Sequence, residues 1–594
     1  MNIFGFLSLL GGLAMFLYGM NVMGGGLEKV SGGKLERVLE KLTSNPLKAV
    51  LLGAGVTAVI QSSSATTVML VGFVNSGIMK LSQAIGIIMG ANIGTTATSW
   101  LLSLTGIESE NFFISMLKPT SFSPILAIIG IILLMSSKTD KKKDIGEILI
   151  GFAVLMFGMD AMSSAVKPLA DVPEFTGILT KFSNPLLGVL VGALLTAVIQ
   201  SSSASVGILQ ALSVTGAFTY GSVIPIIMGQ NIGTCVTAML SAVGANKGAK
   251  RTAFVHLYFN IIGSVVFLTV YMTANAIFHF SFANETVGIA GIAAIHSVFN
   301  VFATLVLLPF TKALEKLAYI TIPVDESELS KAGEEEEFKI LDSRFLATPN
   351  FAIEQCINVA KQMAELTKDT LISAKGLLKE YSQEVAEKVE QRENLIDKYD
   401  DKLSVYLTQL NSQNLSYRDS QMVSTLMHSI NDFERISDHA LNLMEIARKM
   451  NRKEIEFSQK AQVEIEIFGS AVEDILERSV RAFVENDMEL AQTVEPLEEV
   501  IDDLNKQIKK RHVKRMRRGK CTVDTGLVFA DVTANFERVA DHCSNLAVYM
   551  MQMEDASLEA HEYINTLTEE NREEFEQMQE VYKEKYMLPD KKEY

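Results

Sequence analysis

The chain has 594 residues, 48% of them hydrophobic and only 21% charged, with a net charge of −16 and a mean hydropathy of +0.22. The charge is split: residues 1–316 hold 18 Lys+Arg against 13 Asp+Glu, which leaves 35 against 56 for the remainder. An apolar, slightly basic half therefore precedes an acidic one, which excludes a single soluble globule and a nucleic-acid binder, since the latter needs a net basic face.

Ile3–Met23 is the first apolar segment. No Lys or Arg precedes it, and Gly11–Met23 (GGLAMFLYGMNVM) returns at Ile150–Met162 (IGFAVLMFGMDAM), so it reads as half of a repeat rather than a cleaved leader. The same offset of 139 carries SNPL from Ser44–Leu47 to Ser183–Leu186, and TAVIQSSSA from Thr57–Ala65 to Thr196–Ala204. It also carries IIMGANIGTT (Ile87–Thr96) to IIMGQNIGTC (Ile226–Cys235). One ungapped register over this length marks an internal duplication. Further apolar segments lie at Ser123–Met135, Ile145–Val166, Phe254–Phe280 and Val287–Phe310, the last two long enough to cross a bilayer of ~30 Å at ~1.5 Å per residue.

The basic loops Lys29–Lys48, Lys138–Lys143, Lys247–Arg251 and Lys312–Lys316 predict the cytoplasmic side, with Thr105–Lys118 and Val166–Lys181 facing out. The two copies then enter the membrane from opposite sides, an inverted-topology repeat. Val50–Ile60 spans about half a bilayer before Gln61-Ser62-Ser63-Ser64, and a second apolar arm follows to Val74. This predicts a re-entrant hairpin with its tip at membrane depth, repeated at Gln200-Ser201-Ser202-Ser203. Non-helical backbone is tolerated there only against protein or a polar cavity. A Ser-rich tip opening a helix offers N–H groups, hydroxyls and a positive dipole end to an anion, and oxygens to a hard cation. Asn92-Ile93-Gly94-Thr95-Thr96 and Asn231-Ile232-Gly233-Thr234-Cys235 each place Gly inside an apolar span, and each is expected to break its helix opposite a tip.

Ser, Thr and Gly in membrane helices more often serve packing. Packing alone does not call for Gln and Asn in hydrocarbon twice at one spacing. His256/Asn260 and His296/Asn300 are expected to hydrogen-bond between scaffold helices, Trp100 to pack, and Lys80 to lie at the surface. The membrane core offers no general base or carboxylate pair, and its serines have no His nearby in sequence, so an enzyme is not expected. The four cysteines are scattered, with no CxxC spacing for zinc.

Paired QSSS motifs, each followed by G-x-NIGT, resemble the type II sodium–phosphate cotransporters and their bacterial relatives, and RTAFVHLYFN at Arg251–Asn260 resembles the stretch after the family's second repeat. The likeness covers about Gly11–Phe310. It implies cotransport of inorganic phosphate with Na⁺, with Gln61, Ser62, Ser63, Ser64, Gln200, Ser201, Ser202 and Ser203 at the substrate and ion sites. Thr66, Asn92, Thr95, Thr96, Ser205, Asn231 and Thr234 would complete the shell. Electrogenic animal members carry an Asp in this region. Here no carboxylate lies between Ala49 and Ile107 or between Phe182 and Asn246.

From about Phe345 the pattern is of six amphipathic helices: Thr348–Glu380, Gln383–Leu410, Tyr417–Lys449, Glu456–Asn486, Met488–Arg517 and Asp524–Gln552. Asp432–His439 (DFERISDH) matches Asn535–His542 (NFERVADH), 103 residues on. Glu434/Asp438 and Glu537/Asp541 lie at i,i+4 on one face, where like charges repel by a few tenths of a kcal/mol and a bound cation reverses the penalty. Glu393/Asp397 and Glu498/Asp502 are weaker pairs of the same kind. The alternative for all of them is a solvated acidic face. This half resembles PhoU, a two-bundle regulator of bacterial phosphate uptake whose ExxxD motifs bind metal clusters, and the resemblance implies a divalent metal on these carboxylates.

The expected fold is all-α: a polytopic membrane protein with inverted repeats and re-entrant hairpins, joined to a pair of three-helix bundles. The expected divisions are 1–138, 139–316, a linker 317–344, 345–555 and a charged tail 556–594. The expected function is a Na⁺-coupled phosphate importer of the cell membrane with a cytoplasmic regulatory half, its partners being phosphate, a second copy and a phosphate-regulatory protein. A membrane phosphate sensor and a phosphate exporter are the alternatives.

Overall fold

The computed structural model describes residues 3–31, 45–106, 118–137, 139–172, 184–324, 338–413, 415–552 and 569–589. Residues 32–44, 107–117 and 173–183 of the loops used above for orientation lie outside the described residues, as do 325–337 of the linker and 553–568 and 590–594 of the tail. All regular structure among the described residues is helical. The chain divides into two compact units, residues 1–351 and 352–594.

The first unit runs α1 (Ile3–Ser31), α2 (Pro46–Ile60), α3 (Ser63–Asn75), α4 (Leu81–Ser103), α5 (Pro119–Ser136) and α6 (Asp140–Val166). It continues with α7 (Pro185–Ile199), α8 (Ser202–Ser213), α9 (Tyr220–Ser241), α10 (Lys247–Phe278), α11 (Ile289–Leu307) and α12 (Thr311–Thr321). Among the described residues six stretches are long and apolar enough to cross a membrane: Ile3–Val30, Leu81–Gly106, Lys141–Leu169, Tyr220–Ser241, Lys247–Phe278 and Ile289–Thr321. The starts of α7, α8 and α9 fall 139 residues after those of α2, α3 and α4. The 15 residues of α2 make ~22 Å of helix, short of the ~30 Å hydrocarbon core. Asn45 and Asn184 cap α2 and α7, each accepting two backbone N–H bonds, and Pro46 and Pro185 occupy the first turn where no donor is needed.

The helix breaks expected at Asn92–Thr96 and Asn231–Cys235 do not occur. α4 runs 23 residues and α9 runs 22 without interruption. Their glycines serve close backbone approach instead. A Cβ on Gly94 or Gly233 would lie 2.4 Å from the carbonyl oxygen of Ala54 or Ala193. One on Gly90 or Gly229 would lie 2.0 Å from that of Val50 or Val189. Facing them, Gly53 and Gly192 would meet Ile87 O and Ile226 O at 2.2 and 2.1 Å. Each hairpin's first arm is thus pressed along the long helix that follows it, with the same contacts in both copies. α1 and α6 cross in the same way: a Cβ on Gly19 would lie 2.3 Å from Leu155 N, and one on Gly158 2.3 Å from Phe16 N. Phe16, Leu155, Met156 and Met159 form a buried core there.

The linker's described end packs onto the C-terminus of α3. Asn75 Nδ2 donates to Asp342 Oδ2 at 2.6 Å, and Asn75 Oδ1 accepts from Asn246 N at 2.8 Å. Asp342 pairs with Arg344 at 2.7 Å, and Arg344 Nε donates to Ser241 O at 2.8 Å. The Phe345 ring sits 5.5 Å from Phe73 and 4.9 Å from Phe351, against Gly72. Residues up to Phe351 accordingly belong with the membrane half.

The second unit begins inside α13 (Pro349–Leu377), at Ala352, and continues with α14 (Gln383–Asn411), α15 (Tyr417–Lys453), α16 (Gln459–Glu485), α17 (Met488–Gln492), α18 (Val494–Arg517), α19 (Val523–Gln552) and α20 (Glu569–Lys585). The expected single helix over Met488–Arg517 is divided at Thr493. Pro496 has no N–H to return to residue 492, so the first turn restarts there. Buried Phe433, Phe468, Phe529 and Phe536 anchor the apolar faces.

Candidate functional site

Gln61 ends α2 in the left-handed conformation (φ 61°), and Ser62 then caps α3 by accepting from Ala65 N at 3.1 Å. Gln200 repeats this at φ 59°, with Ser201 accepting from Ala204 N at 3.2 Å. A non-glycine residue held there costs about 1–2 kcal/mol. Its recurrence in both copies marks a geometry that the surroundings impose. The strain turns the chain sharply, so that α3 and α8 start at the tips and direct their N-terminal N–H groups into them.

The two tips meet: Ser64 Oγ donates to Gln200 O at 3.2 Å. Gln61 is fixed by donating to Ala58 O and accepting from Thr98 Oγ1 at 2.7 Å. Thr66 Oγ1 donates to Ser62 O at 3.0 Å, and Thr57 Oγ1 donates to Thr66 Oγ1 at 3.1 Å. Ser63 O accepts from Thr67. Sequence reasoning missed Thr57 and Thr98. The signal for Thr98 was its recurrence as Thr237, one turn beyond the NIGT motif.

The second copy differs. Thr196, Ser205 and Thr237 stand where Thr57, Thr66 and Thr98 stand in the first copy, yet their hydroxyl oxygens are buried without a hydrogen-bond partner. Gln200 is exposed. Ser201, Ser202 and Ser203 lie at the tip, the last two buried. The remaining expected shell is turned toward its own scaffold. Thr95, Thr96 and Thr234 hydroxyls return to Ala91 O, Ile93 O and Gln230 O. Asn92 donates to Asn260 Oδ1 at 2.8 Å, and Asn231 to Ile227 O. His296 Nδ1 bonds Ser99 Oγ at 2.8 Å, and Trp100 Nε1 donates to Ser297 Oγ at 2.8 Å. The tips offer neutral dipoles and hydroxyls only. That set can hold an anion on two helix N-termini and a hard cation on the oxygens between them.

In the second unit, oxygens of Glu393 and Asp397 on α14 and Asp438 on α15 all lie within 4.8 Å of one another. The structure therefore joins pairs from two helices, rather than closing a site on the Glu434/Asp438 pair of one. Burial, and then the neighbouring Asp438 charge, push the Glu434 carboxyl up to about 7. Glu393 and Asp397 are raised by burial first and by the facing carboxylates second. Three oxygens converging in this way suit a hard divalent cation. Both sets carry ion pairs of their own: Asp438 with Arg435 (3.2 Å) in the first, and in the other Asp541 with Arg538 (3.2 Å), Glu537 with Lys509 (3.1 Å) and Asp502 with Lys506 (3.0 Å). Glu498 is pushed up to about 8 by burial and then by Glu495. The repeated motif also ties the bundles together. His542 Nδ1 meets Asp432 Oδ1 at 2.6 Å, and His439 Nδ1 meets Asn535 Oδ1 at 2.8 Å.

Comparison with known proteins gives two family matches. The Na+/Pi-cotransporter model matches residues 15–164 and 155–293, and the PhoU domain model matches 360–447 and 465–550. YqeW of Bacillus subtilis (strain 168) is 30% identical over 312 residues, 52% of this chain and 96% of that protein. A Salmonella typhimurium protein named "Putative inorganic phosphate export protein YjbB" is 25% identical over 94% of this chain and 99% of its own length. The rat "Sodium-dependent phosphate transport protein 2A" is 37% identical over 99 residues, 16% of this chain and 15% of that one.

Proposed function

We propose, on the premise that this chain belongs to the Na+/Pi-cotransporter family and carries a PhoU domain, that it is a secondary transporter importing inorganic phosphate with Na⁺. The observation that carries the reading is the meeting of the two Gln-Ser-Ser-Ser tips through Ser64 and Gln200. Gln61–Ser64 and Gln200–Ser203 bind phosphate on the N-termini of α3 and α8. The open hydroxyls of Thr196, Ser205 and Thr237 supply oxygens to a cation. Desolvating a bare phosphate is very costly, and among the described residues no charged side chain lies at the tips to offset it. A co-bound Na⁺ does so, which makes coupling obligatory rather than optional. The membrane potential then contributes ~2.3 kcal/mol per net charge moved per 100 mV. The chain works as a carrier and not an enzyme. The second unit faces the cytoplasm and reports metal or phosphate status through the Glu393, Asp397 and Asp438 group.

Purified protein in liposomes tests this. An inward Na⁺ gradient should drive phosphate accumulation, and K⁺ in its place should not. Loss of uptake in Gln61→Ala and Ser203→Ala, with unchanged thermal stability, supports the site. The YjbB likeness, which spans nearly the whole chain, favours a second reading in which the carrier works as an exporter. Efflux from phosphate-loaded vesicles that proceeds without any Na⁺ dependence would favour that reading and sink symport. Phosphate binding with no flux in either direction would leave a sensor.

A further inference from the structure

Among the described residues the acidic half has a strongly basic place at the end of α18. α18 ends in Lys514, Arg515 and Arg517, and Arg518 and Lys520 follow it. This end adjoins the start of α16, whose cap residue Ser458 makes no side-chain cap bond and whose first turn holds no acid. Between them lies a cleft of about 630 Å³ lined by Lys460, Arg511, Lys514, Arg515, Arg518 and Lys520, with Glu464 the single acid among the described residues. Glu464 is buried and engages Arg515 at 2.6 Å and Arg511 at 3.8 Å. Arg511 Nη1 also donates to Pro589 O at 2.9 Å, so two guanidiniums are held at the floor, and Arg515 Nη2 remains buried without a hydrogen-bond partner. Among the described residues Lys514, Arg518 and Lys520 form no ion pair.

Cations at a helix C-terminus complement its dipole. That accounts for Lys514 and Arg515. It does not account for Arg518 and Lys520 beyond the helix end, or for Lys460 at the start of another helix. Six cations around one acid repel one another, and an uncapped helix N-terminus adds positive potential to the same space. Arginine forks match phosphoryl oxygens two at a time. A cleft of this volume is in the range that holds a small organic ligand.

We propose that this cleft binds a soluble oligophosphate, an anion carrying two or more linked phosphoryl groups such as a nucleoside triphosphate or inorganic triphosphate. The floor guanidiniums of Arg511 and Arg515 take one phosphoryl group and the α16 N-terminus takes the next. Lys514, Arg518 and Lys520 close over the outer charge. The proposal is independent of the transport reading.

The test uses the full chain in neutral detergent. A fluorescent ATP analogue is titrated in, and inorganic triphosphate, orthophosphate and dioctanoyl phosphatidic acid are used as competitors. The analogue should bind, triphosphate should displace it, and orthophosphate should require about a hundredfold more. Arg518→Ala with Lys520→Ala, both exposed and past the helix end, should weaken triphosphate about tenfold or more. Lys388→Ala, on the exposed face of α14, should change nothing. Absence of triphosphate binding overturns the proposal. So does displacement by the lipid alone, or equal weakening in Lys388→Ala.

Discussion

Gly229→Ala puts the shared architecture of the two copies to a quantitative trial. An added Cβ would lie 2.0 Å from Val189 O, 2.8 Å from its carbonyl carbon and 2.9 Å from Ala193 N. Ordinary contact begins near 3.4 Å, so α7 and α9 must separate locally by about 1.4 Å. Backbone cannot rotate away as a side chain can, and overpacking of this kind costs about 1–3 kcal/mol. The helical preference of Ala over Gly returns at most about 1 kcal/mol, so the clash wins. α7 ends at Gln200, which means the separation is delivered to the tip. A displacement of about 1 Å at reacting or binding groups is worth up to ~100-fold in rate. Gly229→Ala should therefore lower phosphate uptake into liposomes at least tenfold, and Gly90→Ala should do the same from the other copy. Gly55→Ala is the control: nothing lies within 4 Å of its Cβ, so uptake should hold and stability should rise slightly. Wild-type uptake in Gly229→Ala, at unchanged stability, would refute the close-packing argument.

Thr98→Val should release Gln61 and raise the phosphate KM several-fold, while Thr95→Val, whose hydroxyl returns to its own helix, should leave transport unchanged; kinetics on both variants separate the two outcomes. Divalent cation should raise the melting temperature of the full chain, and Asp438→Asn should abolish that shift without lowering the metal-free value. In chelator, stability should depend on pH with a defined sign. Glu434 and Glu498 hold protons more tightly folded than unfolded, so their contribution is complete below the ordinary carboxylate range. It is lost as pH rises through about 7 and about 8. Melting followed from pH 5 to 9 should show that fall, and added divalent cation should oppose it at the alkaline end.

The 139-residue offset predicted the positions of α2, α3, α7 and α8, because a half-length apolar arm interrupted by Gln-Ser-Ser-Ser has few other folds available at membrane depth. The breaks assigned to Asn92–Thr96 and Asn231–Cys235 misread the role of glycine. A glycine in an apolar span signals either a bend or a close neighbour, and the neighbours here, Ala54 and Ala193, lie some forty residues upstream. Thr98 and Thr57 were hidden for the related reason that a hydroxyl's partner is set by helix packing. In the acidic half, i,i+4 spacing placed Glu434 with Asp438 and Glu393 with Asp397 on their faces. It carried no information about which faces meet, and that choice joins Asp438 to Glu393 and Asp397.

The difference between the two tips bears on the resting state of the cycle. Inverted copies related by an axis in the membrane plane exchange roles when a carrier turns from one side to the other. Were the copies identical, the outward and inward states would be related by that two-fold rotation and equal in free energy, and the empty carrier would divide its time evenly. Each departure from identity is therefore a bias on that equilibrium. The bond between Thr57 and Thr66, present in one tip and missing between Thr196 and Ser205 in the other, is such a departure. It makes Ser205→Thr a substitution that restores symmetry, and the resting preference of the carrier a quantity written in the divergence of its two halves.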